Sequence, residues 1–342
     1  MTDPNWRRLR DGRLDWALFR SRHAMVRFLR DDFDSRGYLE TEAPLLVPCP
    51  TLDSNIQSLR VDVASIDGLR RRFYLHTSPE YAMKKLLAAG AERLYFLGKV
   101  FRDGETTALH NPEFTMLEWY RADASIRDLL DETEDFISRL AVQITGSTTV
   151  RVGGRTVDLS PPWPRVRMAD LFRESTGADL DPGSGAAALR RVASRLGVFF
   201  NPEDDWETMF MRIYLERMEP GLGFDKPVFL TDYPAGLAMN ARLRNDDTRW
   251  AERCELFIGG LELANGYTEI TDPAEQRRRF ESDRGKKRLE TGSEPPVDLE
   301  LLEAMEAGLP PCAGMALGVD RLVMLLLNRR DIADVLISPL PR

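Results

Sequence analysis

The 342-residue sequence is poor in several features that mark particular protein classes. Its three cysteines, Cys49, Cys254 and Cys312, are odd in number and widely spaced, which argues against a disulfide framework or a zinc site. No apolar run approaches the ~20 residues of a membrane helix, and the N-terminus lacks the apolar core of a signal peptide. Asp and Glu outnumber Lys and Arg by 55 to 47, so a broad nucleic-acid surface is not expected. We therefore expect a cytoplasmic protein with reduced thiols and no membrane partner.

The residues that are present predict a mixed fold. Residues 14–36 carry a helical apolar stripe that ends at Gly37, and the proline-bearing stretch "GYLETEAPLLVPCP" follows as an extended segment. "RRFYLHTSPEYAMKKLLAAG" predicts a strand followed by a helix with Ser78 as a possible N-cap, and "ERLYFLGKVFRD" and "PEFTMLEWYRA" predict two more strands. Strands joined by short turns, without regular alternation with helices, indicate an α+β fold with an antiparallel sheet.

The second half of the chain is less regular. A helix is expected from about residue 125 to 144, and residues 147–226, rich in Gly, Pro and short amphipathic helices, are interpreted as an insertion without visible chemistry. Residues 273–308 are predicted to be helical. The chain then closes on "CAGMALGVDRLVMLLLN", a glycine-rich strand that leads into an apolar helix.

The stretch "FRDGETTALHNPEFTMLEWY" concentrates polar, charged and aromatic side chains in twenty residues. On an extended chain, Phe114, Met116, Glu118 and Tyr120 share one side. A carboxylate among large apolar side chains costs free energy unless a charged or hydrogen-bonding group meets it. A ligand is the obvious candidate.

A second pair of carboxylates flanks a predicted hairpin. Gly259-Gly260 suits a two-residue turn, which would set Phe257 opposite Glu262 and Glu255 opposite Ala264. Glu255 and Glu262 would then be diagonal neighbours within ~8 Å on one face. Magnesium suits such a pair best, although two glutamates on a solvated strand face remain an equal alternative.

Two arginines are further candidates. Arg102 follows a strand and Arg321 lies in "GVDRLVML", and each alone is more commonly a structural or solvated arginine. "GMALGVDR" lacks the lysine and the spacing of a P-loop. Its small residues instead favour close approach of the backbone to a flat ligand.

In chain order, these segments resemble the three signature motifs of class II aminoacyl-tRNA synthetases. "GYLETEAPLL" is similar to motif one, "FRDGETTALHNPEFTMLEWY" to motif two and "GMALGVDRLVML" to motif three. The lysyl subgroup matches best, through "HNPEFTMLEWY" and "CELFIGGLELANGYTEITD". The resemblance, which runs from about residue 14 to 330, implies a single α+β catalytic domain over residues 1–342, with an antiparallel sheet flanked by helices and an insertion at about 147–226.

The resemblance also implies an ATP-dependent, AMP-forming ligase chemistry, in which an amino acid carboxylate attacks the α-phosphorus of ATP and pyrophosphate leaves. Arg102 would hold the α-phosphate, Arg321 the γ-phosphate, and Glu255 and Glu262 a magnesium ion. The other implied ATP contacts are Asp103, Gly104, Glu105, Asn111, Phe114, Glu262, Leu263 and Gly318. The implied amino acid pocket is lined by Ser78, Pro79, Glu80, Glu118, Tyr120, Asn265, Tyr267, Glu269 and Ala316. Three glutamates suit a substrate with two ammonium groups, as lysine-type amino acids have.

One feature of the implied site conflicts with simple strand geometry. Glu262 and Asn265 point to opposite faces of a regular strand, so both line one site only if a bulge or twist intervenes. Asn265-Gly266 is the predicted place for it.

Within the lysyl subgroup, the sequence resembles synthetase paralogues that attach a lysine-type amino acid to a lysine of elongation factor P. The motif-one helix begins near residue 14, whereas lysyl-tRNA synthetases carry an anticodon-binding domain of ~100 residues before it. "TSPEYAMKKLL", "LEWYR" and Ala316, where lysyl-tRNA synthetases usually place glycine, favour the paralogues. The resemblance implies (R)-β-lysine as substrate, elongation factor P as acceptor and no tRNA, although one methyl shifts selectivity by only ~1–3 kcal/mol.

The motif-two loop departs from the family pattern. Motif two usually reads Arg-x-Glu, but here Gly104 occupies the third position and Glu105 comes one residue later. An arginine that often precedes the histidine is also missing, since Ala108 and Leu109 precede His110. The ATP contacts of this loop are therefore open.

Two alternatives and one assembly prediction follow from the same residues. The chain could charge RNA through basic residues of "QRRRFESDRGKKR", residues 276–288, although a solvated helix face is the more common origin of such a run. It could also be an inactive regulatory paralogue, but Arg102, Glu255, Glu262 and Arg321 would have no chemical use there. Because motif one builds the subunit interface in this family and "EAPLLVPCP" is apolar for an exposed edge, we expect a homodimer.

Overall fold

A computed structural model describes residues 3–53, 56–292 and 294–341. The chain forms two compact units, the first made of Met1–Ser125 and Glu269–Arg342 and the second of Ile126–Thr268. The single domain over residues 1–342 with an insertion at 147–226 stays a prediction. Among the described residues, no helix has the length and apolar character needed to cross a membrane.

The α-helices of the described residues follow in chain order: α1 (Asn5–Arg10), α2 (Trp16–Ser35), α3 (Glu80–Ala88), α4 (Ile126–Thr145), α5 (Met168–Thr176), α6 (Ala186–Leu196), α7 (Trp206–Ile213), α8 (Pro273–Thr291), α9 (Leu299–Gly308), α10 (Val319–Leu326) and α11 (Ile332–Val335). A π-helical turn, Tyr214–Met218, continues α7. The predicted helices at 14–36 and 125–144 are confirmed, and the helical stretch 273–308 consists of the two helices α8 and α9.

The strands of the same residues are β1 (Leu39–Glu40), β2 (Leu46–Val47), β3 (Arg60–Ala64), β4 (Arg70–Leu75), β5 (Arg93–Phe101), β6 (Glu113–Ala122), β7 (Thr149–Val152), β8 (Arg155–Asp158), β9 (Arg165–Arg167), β10 (Val228–Pro234), β11 (Trp250–Ile258), β12 (Leu261–Thr268) and β13 (Cys312–Gly318). The strands predicted around motifs two and three are confirmed. The proline-bearing segment after α2 forms only the short strands β1 and β2, as its prolines suggest.

In the first unit, four strands are neighbours in the order β1, β5, β6, β13. β1 is parallel to β5, and β5, β6 and β13 are antiparallel to one another in turn. This register sets Tyr120 opposite Gly314, and a Cβ at Gly314 would overlap the Tyr120 ring. Glycine at this position therefore leaves room for the Tyr120 ring against the backbone, and the close approach of a flat ligand to this segment stays a prediction. The strands β2, β4 and β3 form a separate small antiparallel sheet.

Strand β6 is buried on both faces. On one face Trp119 packs edge-on against Phe33 of α2, with ring centroids 5.4 Å apart. On the other face Met116 and Tyr120 belong to an apolar cluster with Met83 of α3. The alternation predicted from the sequence is thus confirmed. It places Glu118, which shares a face with Met116 and Tyr120, in the buried layer next to α3.

The second unit contains strands in the order β12, β11, β10, β9. β10, β11 and β12 are antiparallel and β9 is parallel to β10. Residues of α5, α7 and the π-helical turn, including Phe172, Phe210 and Tyr214, share a buried cluster with Leu230 and Phe257 of the strands. Part of the segment 147–226 therefore supplies core packing for this unit.

Candidate active site

Glu118 is the centre of a polar cluster inside the first unit. Its side chain is buried, and it accepts hydrogen bonds from the Ser78 hydroxyl at 2.8 Å and the Tyr120 hydroxyl at 2.7 Å. Ser78 lies immediately before α3 and its oxygen also accepts from the Glu80 backbone N–H at 3.0 Å. The N-cap of α3 is Pro79, one residue after the predicted Ser78. The Ser78 hydroxyl nevertheless connects the first residue of α3 to the carboxylate on β6.

A buried lysine joins two further predicted pocket residues. Lys84 of α3 donates to Glu80 Oε1 at 2.5 Å, and its Nζ lies 2.6 Å from Glu269 Oε2. Lys84 and Glu269 are each 1% exposed. The structure therefore gathers Glu80, Glu118 and Glu269 as the sequence predicts, and adds one ammonium group among them. Ala316 also faces this cluster, since it is paired with Glu118 across β6 and β13.

The ionisation of the cluster follows from its burial. Burial is the main reason that the pKa of Glu118 rises to about 7, and the charge of Glu80 raises it further. Burial also raises the pKa of Glu269, although Lys84 opposes that effect. For Lys84, burial would lower the pKa, but the charges of Glu269 and Glu80 outweigh burial and raise it above its ordinary value. At neutral pH, Lys84 is charged and Glu118 carries a proton part of the time.

Arg102 follows β5 and lies over an aromatic ring. Its guanidinium carbon is 5.2 Å from the centre of the Phe114 ring, and its Nη1 is 3.6 Å from Glu105 Oε1. The displaced glutamate of motif two thus still faces the motif arginine. Gly104 between them has a φ of 78°, which favours glycine, and its N–H donates to the Asp103 carboxylate.

The Asn111 side chain forms hydrogen bonds with two backbone groups. Its side chain donates to the Glu113 carbonyl at 2.6 Å and accepts from the Leu340 N–H at 3.1 Å. It is buried. In this structure Asn111 therefore connects the end of the motif-two loop to residues near the C-terminus.

Arg321 lies in the first turn of α10, three residues after Gly318, and contacts His110. Because a guanidinium only donates, His110 Nε2 must accept, and its Nδ1 carries the proton that is donated to the Thr107 hydroxyl at 2.8 Å. Burial first and the charge of Arg321 second lower the pKa of His110, which agrees with a neutral ring.

Asp320, the neighbour of Arg321, fixes the start of α10. It is 1% exposed, accepts from the Thr115 N–H at 2.7 Å and forms an ion pair with Arg22 of α2 at 2.5 Å. Arg22 also donates to the Thr115 hydroxyl at 3.0 Å. Three elements, α2, β6 and α10, are therefore held together directly beside Arg321.

In the second unit, the hairpin turn is as predicted but part of the register is not. Gly259 and Gly260 have φ angles of 62° and 78°, and Phe257 pairs with Glu262. The predicted pair Glu255–Ala264 was wrong: Leu256 pairs with Ala264 and Glu255 pairs with Asn265. The physical reason is a β-bulge that leaves Leu263 as the extra residue.

The bulge resolves the conflict between Glu262 and Asn265. It lies at Leu263, between the two residues, and not at Asn265-Gly266 as predicted. Asn265 consequently shares a face with Glu255 and donates to its Oε1 at 3.2 Å. Burial raises the pKa of the Tyr214 phenol, and the charges of both Glu255 and Glu262 raise it further. Both carboxylates therefore lie near the same phenol.

Glu255 is tightly surrounded. It accepts from the Tyr233 hydroxyl at 2.6 Å and from Arg253 at 2.5 Å, besides Asn265. Tyr267, paired with Arg253, directs its hydroxyl to the sulfur of Met239 at 3.3 Å. Over residues 3–53, 56–292 and 294–341, no three or more His, Cys, Asp or Glu side chains gather as a metal site. Two carboxylate donors nevertheless suit magnesium in kind, because that ion commonly takes one or two carboxylates and completes its shell with phosphate oxygens and water.

Sequence reasoning missed three charged residues that organise these clusters: Lys84, Arg253 and Asp320. Lys84 lies four residues after Glu80, and this spacing on a helix was a readable signal for their pairing. Its pairing with Glu269 had no such signal, because the two residues are far apart in the chain. Arg253 lies two residues before Glu255 in the same strand, so strand alternation places both side chains on one face, and this spacing was also a readable signal.

Known proteins resemble this chain along nearly its whole length. The profile of the family described as tRNA synthetases class II (D, K and N) matches residues 5–342. A protein named Elongation factor P--(R)-beta-lysine ligase from Yersinia enterocolitica is 38% identical over 327 residues, which cover 94% of each chain. The lysine--tRNA ligases of Pelotomaculum thermopropionicum and Moorella thermoacetica are each 34% identical over 325 residues, 94% and 95% of this chain.

The chain spans 63% and 65% of the length of those two lysine--tRNA ligases. The resemblance noted from the three motifs is confirmed, as is the α+β fold with an antiparallel sheet flanked by helices. The chain belongs to the family described as tRNA synthetases class II (D, K and N).

Proposed function

We propose that this protein is an ATP-dependent ligase that activates a lysine-type amino acid as an aminoacyl-adenylate and transfers it to a lysine side chain of elongation factor P. The observation that carries the proposal is the buried cluster of Glu80, Glu118 and Glu269 around Lys84. Three carboxylates and one ammonium leave two negative charges when all are ionised. A substrate with two ammonium groups neutralises that charge, whereas buried uncompensated charge is costly.

The first step is phosphoryl chemistry by positioning. The amino acid carboxylate attacks the α-phosphorus of ATP, the bond to the bridging oxygen of the β-phosphate breaks, and pyrophosphate leaves. Arg102 is proposed to bind the α-phosphate and Arg321 the γ-phosphate, so that fixed positive charges meet the charge that develops in the transition state. The flat face of Phe114, which already carries the Arg102 guanidinium, is proposed to lie beside the nucleotide. Asp103, Gly104, Glu105, Asn111 and Gly318 remain proposed ATP contacts.

Glu255 and Glu262 are proposed to hold magnesium, with Leu263 of the bulge next to the nucleotide. When bound, the ion neutralises phosphate charge during the departure of pyrophosphate. Arg253 already neutralises Glu255 in this structure, so binding of a cation at Oε1 has to compete with that ion pair. Asn265, Tyr267 and Glu269 are proposed to contribute to recognition of the amino acid, together with Ser78, Pro79, Glu80, Glu118 and Tyr120.

The choice of acceptor and of lysine isomer rests on similarity. The Yersinia enterocolitica relative whose name specifies elongation factor P and (R)-β-lysine aligns along 94% of both chains. The methyl of Ala316 lies on the strand position opposite Glu118, so it adds volume beside the proposed pocket. In the second step, the deprotonated amine of the acceptor lysine attacks the carbonyl of the mixed anhydride, an amide forms and AMP leaves. We propose no role for tRNA in this step, and a cytoplasmic location.

Lysyl transfer to RNA is the second candidate, because the lysine--tRNA ligases match nearly the same part of this chain. The basic stretch at 276–288 gives this candidate little support. Arg279 pairs with Glu275 at 2.9 Å, and Lys287 donates to the carbonyls of Thr51 and Ile56. Those cations stabilise the fold of the first unit. An inactive paralogue is less well supported still, since both arginines and both hairpin glutamates are present.

The adenylation step is tested by ATP–pyrophosphate exchange with α-lysine and (R)-β-lysine. We expect exchange with the unaltered protein, and a loss of about 100-fold or more in Arg321→Ala, because one preorganised charge contact is typically worth ~3–4 kcal/mol in the transition state. Arg330→Ala, which removes an exposed arginine of the same unit, is the control and should keep full exchange. A loss below about tenfold in Arg321→Ala would refute the assignment of this arginine.

Binding of the amino acid should depend on pH through Glu118. Its pKa is about 7 in the folded protein, above the ordinary value, so the carboxylate ionises only as the pH rises through neutrality. An ammonium group binds the ionised form, and the KM for the amino acid should therefore fall about tenfold between pH 6 and pH 8. The KM for the amino acid is measured from ATP–pyrophosphate exchange rates at saturating ATP. In Glu118→Gln the fall in KM should become smaller, because only the raised pKa of Glu269 remains. A flat KM in the unaltered protein would contradict the role of Glu118.

We also propose that the protein is a homodimer. Leu39, Leu45 and Leu46, in and beside the short strands β1 and β2 of motif one, are 65%, 45% and 43% exposed. Covering them would remove apolar surface from water. Light scattering at micromolar concentration should give twice the 38.9 kDa of one chain, and Leu46→Glu should lower the mass towards a single chain. A single-chain mass for the unaltered protein would exclude the dimer.

A further inference from the structure

Lys84 is buried to an extent that is rare for lysine. It is 1% exposed, and it lies on α3 with its ammonium between Glu80 of the same helix and Glu269. The two distances, 2.5 Å and 2.6 Å, show that both carboxylates contact the same nitrogen. Neither the proposed ATP contacts nor the proposed amino acid contacts include this residue.

A lysine in apolar surroundings normally loses its proton, and a carboxylate there normally gains one. Here the Lys84 ammonium keeps its proton because two carboxylates contact it, and its charge opposes the effect of burial on the pKa of Glu269. The ammonium has two carboxylates within hydrogen-bond distance, and a third, Glu118, lies near enough for the charges of Lys84 and Glu80 to act on its ionisation. The remaining titratable groups that face the cluster are Tyr120 of β6, Tyr81 of α3 and Cys312 of β13.

Two roles are compatible with this geometry at first sight. Lys84 could tie α3 to residue 269 as a purely structural ion pair. Buried ion pairs are poor contributors to stability, however, because desolvation of the charges offsets most of their attraction. The apolar neighbours Met83 and Leu87 already pack α3 against the first unit. A structural role alone therefore gives no reason to bury an ammonium here.

We propose that Lys84 is a positioning residue of the amino acid pocket: its ammonium, in contact with Glu80 and Glu269, holds the two carboxyl groups at a fixed spacing and offsets one of the pocket's negative charges. The pocket then matches an amino acid with two ammonium groups and discriminates against one with a single ammonium group. This inference rests on the proposed function, since it concerns the recognition of the same substrate.

Removal of the Lys84 charge should change how the KM for the amino acid depends on pH. Without the Lys84 charge, the pKa values of Glu118 and Glu269 should rise further, because the ammonium opposes the effect of burial on both. In Lys84→Met, the KM for α-lysine or (R)-β-lysine at pH 7 should therefore rise about tenfold or more. The pH at which this KM falls should increase by about one unit. The KM for ATP should stay within about twofold. A role in packing alone would raise the KM for the amino acid equally at every pH.

The chain provides a matched control in the next residue. Lys85 lies on the same helix but is more exposed, and it pairs with Asp298 at 2.9 Å and Glu300 at 2.6 Å. Lys85→Met should leave both KM values and the pH profile unchanged. If Lys84→Met does not fold, Lys84→Gln decides the question. Its amide can donate a hydrogen bond to a carboxylate but carries no charge, so Lys84→Gln should show the same upward shift in pH dependence.

The outcomes separate this inference from the proposed function. Exchange by the unaltered protein, together with an unshifted pH profile in both Lys84 variants, would overturn the role of Lys84 and leave the proposed function intact. Absence of exchange with every lysine-type amino acid in the unaltered protein would overturn both. A second comparison uses norleucine, which has the carbon chain of lysine but lacks the ε-ammonium group. The preference for lysine over norleucine in kcat/KM should fall in Lys84→Met and stay constant in Lys85→Met.

Discussion

The contact of one ammonium, Lys84, with two buried carboxylates is the interaction on which the proposed pocket depends. A strand covered on both faces, such as β6, ordinarily carries only apolar side chains. Glu118 is tolerated there because Ser78 and Tyr120 donate to it, and because the adjacent carboxylates are offset by Lys84. Without the Lys84 ammonium, the first unit would contain three neighbouring carboxyl groups that cannot all ionise in the same small volume.

The proposed phosphate end of the first unit is organised in a different way. There the charged groups are held by backbone geometry and by a buried aspartate. Asp320 receives the Thr115 N–H and pairs with Arg22, so the first turn of α10 has a fixed position on β6. Arg321 is the next residue in the chain, and its guanidinium donates to the neutral His110 ring. Since both ends of the proposed reaction are anchored to β6, the distance between the carboxylate cluster and the arginine is set by one rigid strand.

Local features of the fold could be predicted from the sequence, whereas contacts between residues far apart in the chain could not. The alternation of β6 and the two-residue hairpin turn depend on local patterns, and both predictions are confirmed. The bulge at Leu263 was misplaced because a one-residue shift of register depends on the packing of both strands, which local sequence does not encode. The pairing of Lys84 with Glu269 likewise depends on tertiary packing, because the two residues are far apart in the chain.

The most direct test of the central claim is the identity of the acceptor. Elongation factor P is incubated with this protein, ATP and radiolabelled α-lysine or (R)-β-lysine, with bulk tRNA in the same reaction, and both acceptors are separated and counted. Mass spectrometry of elongation factor P then locates the modification. The proposal predicts label on a single lysine of elongation factor P and none on tRNA. Label on tRNA with none on elongation factor P would contradict it and establish the lysyl-tRNA alternative.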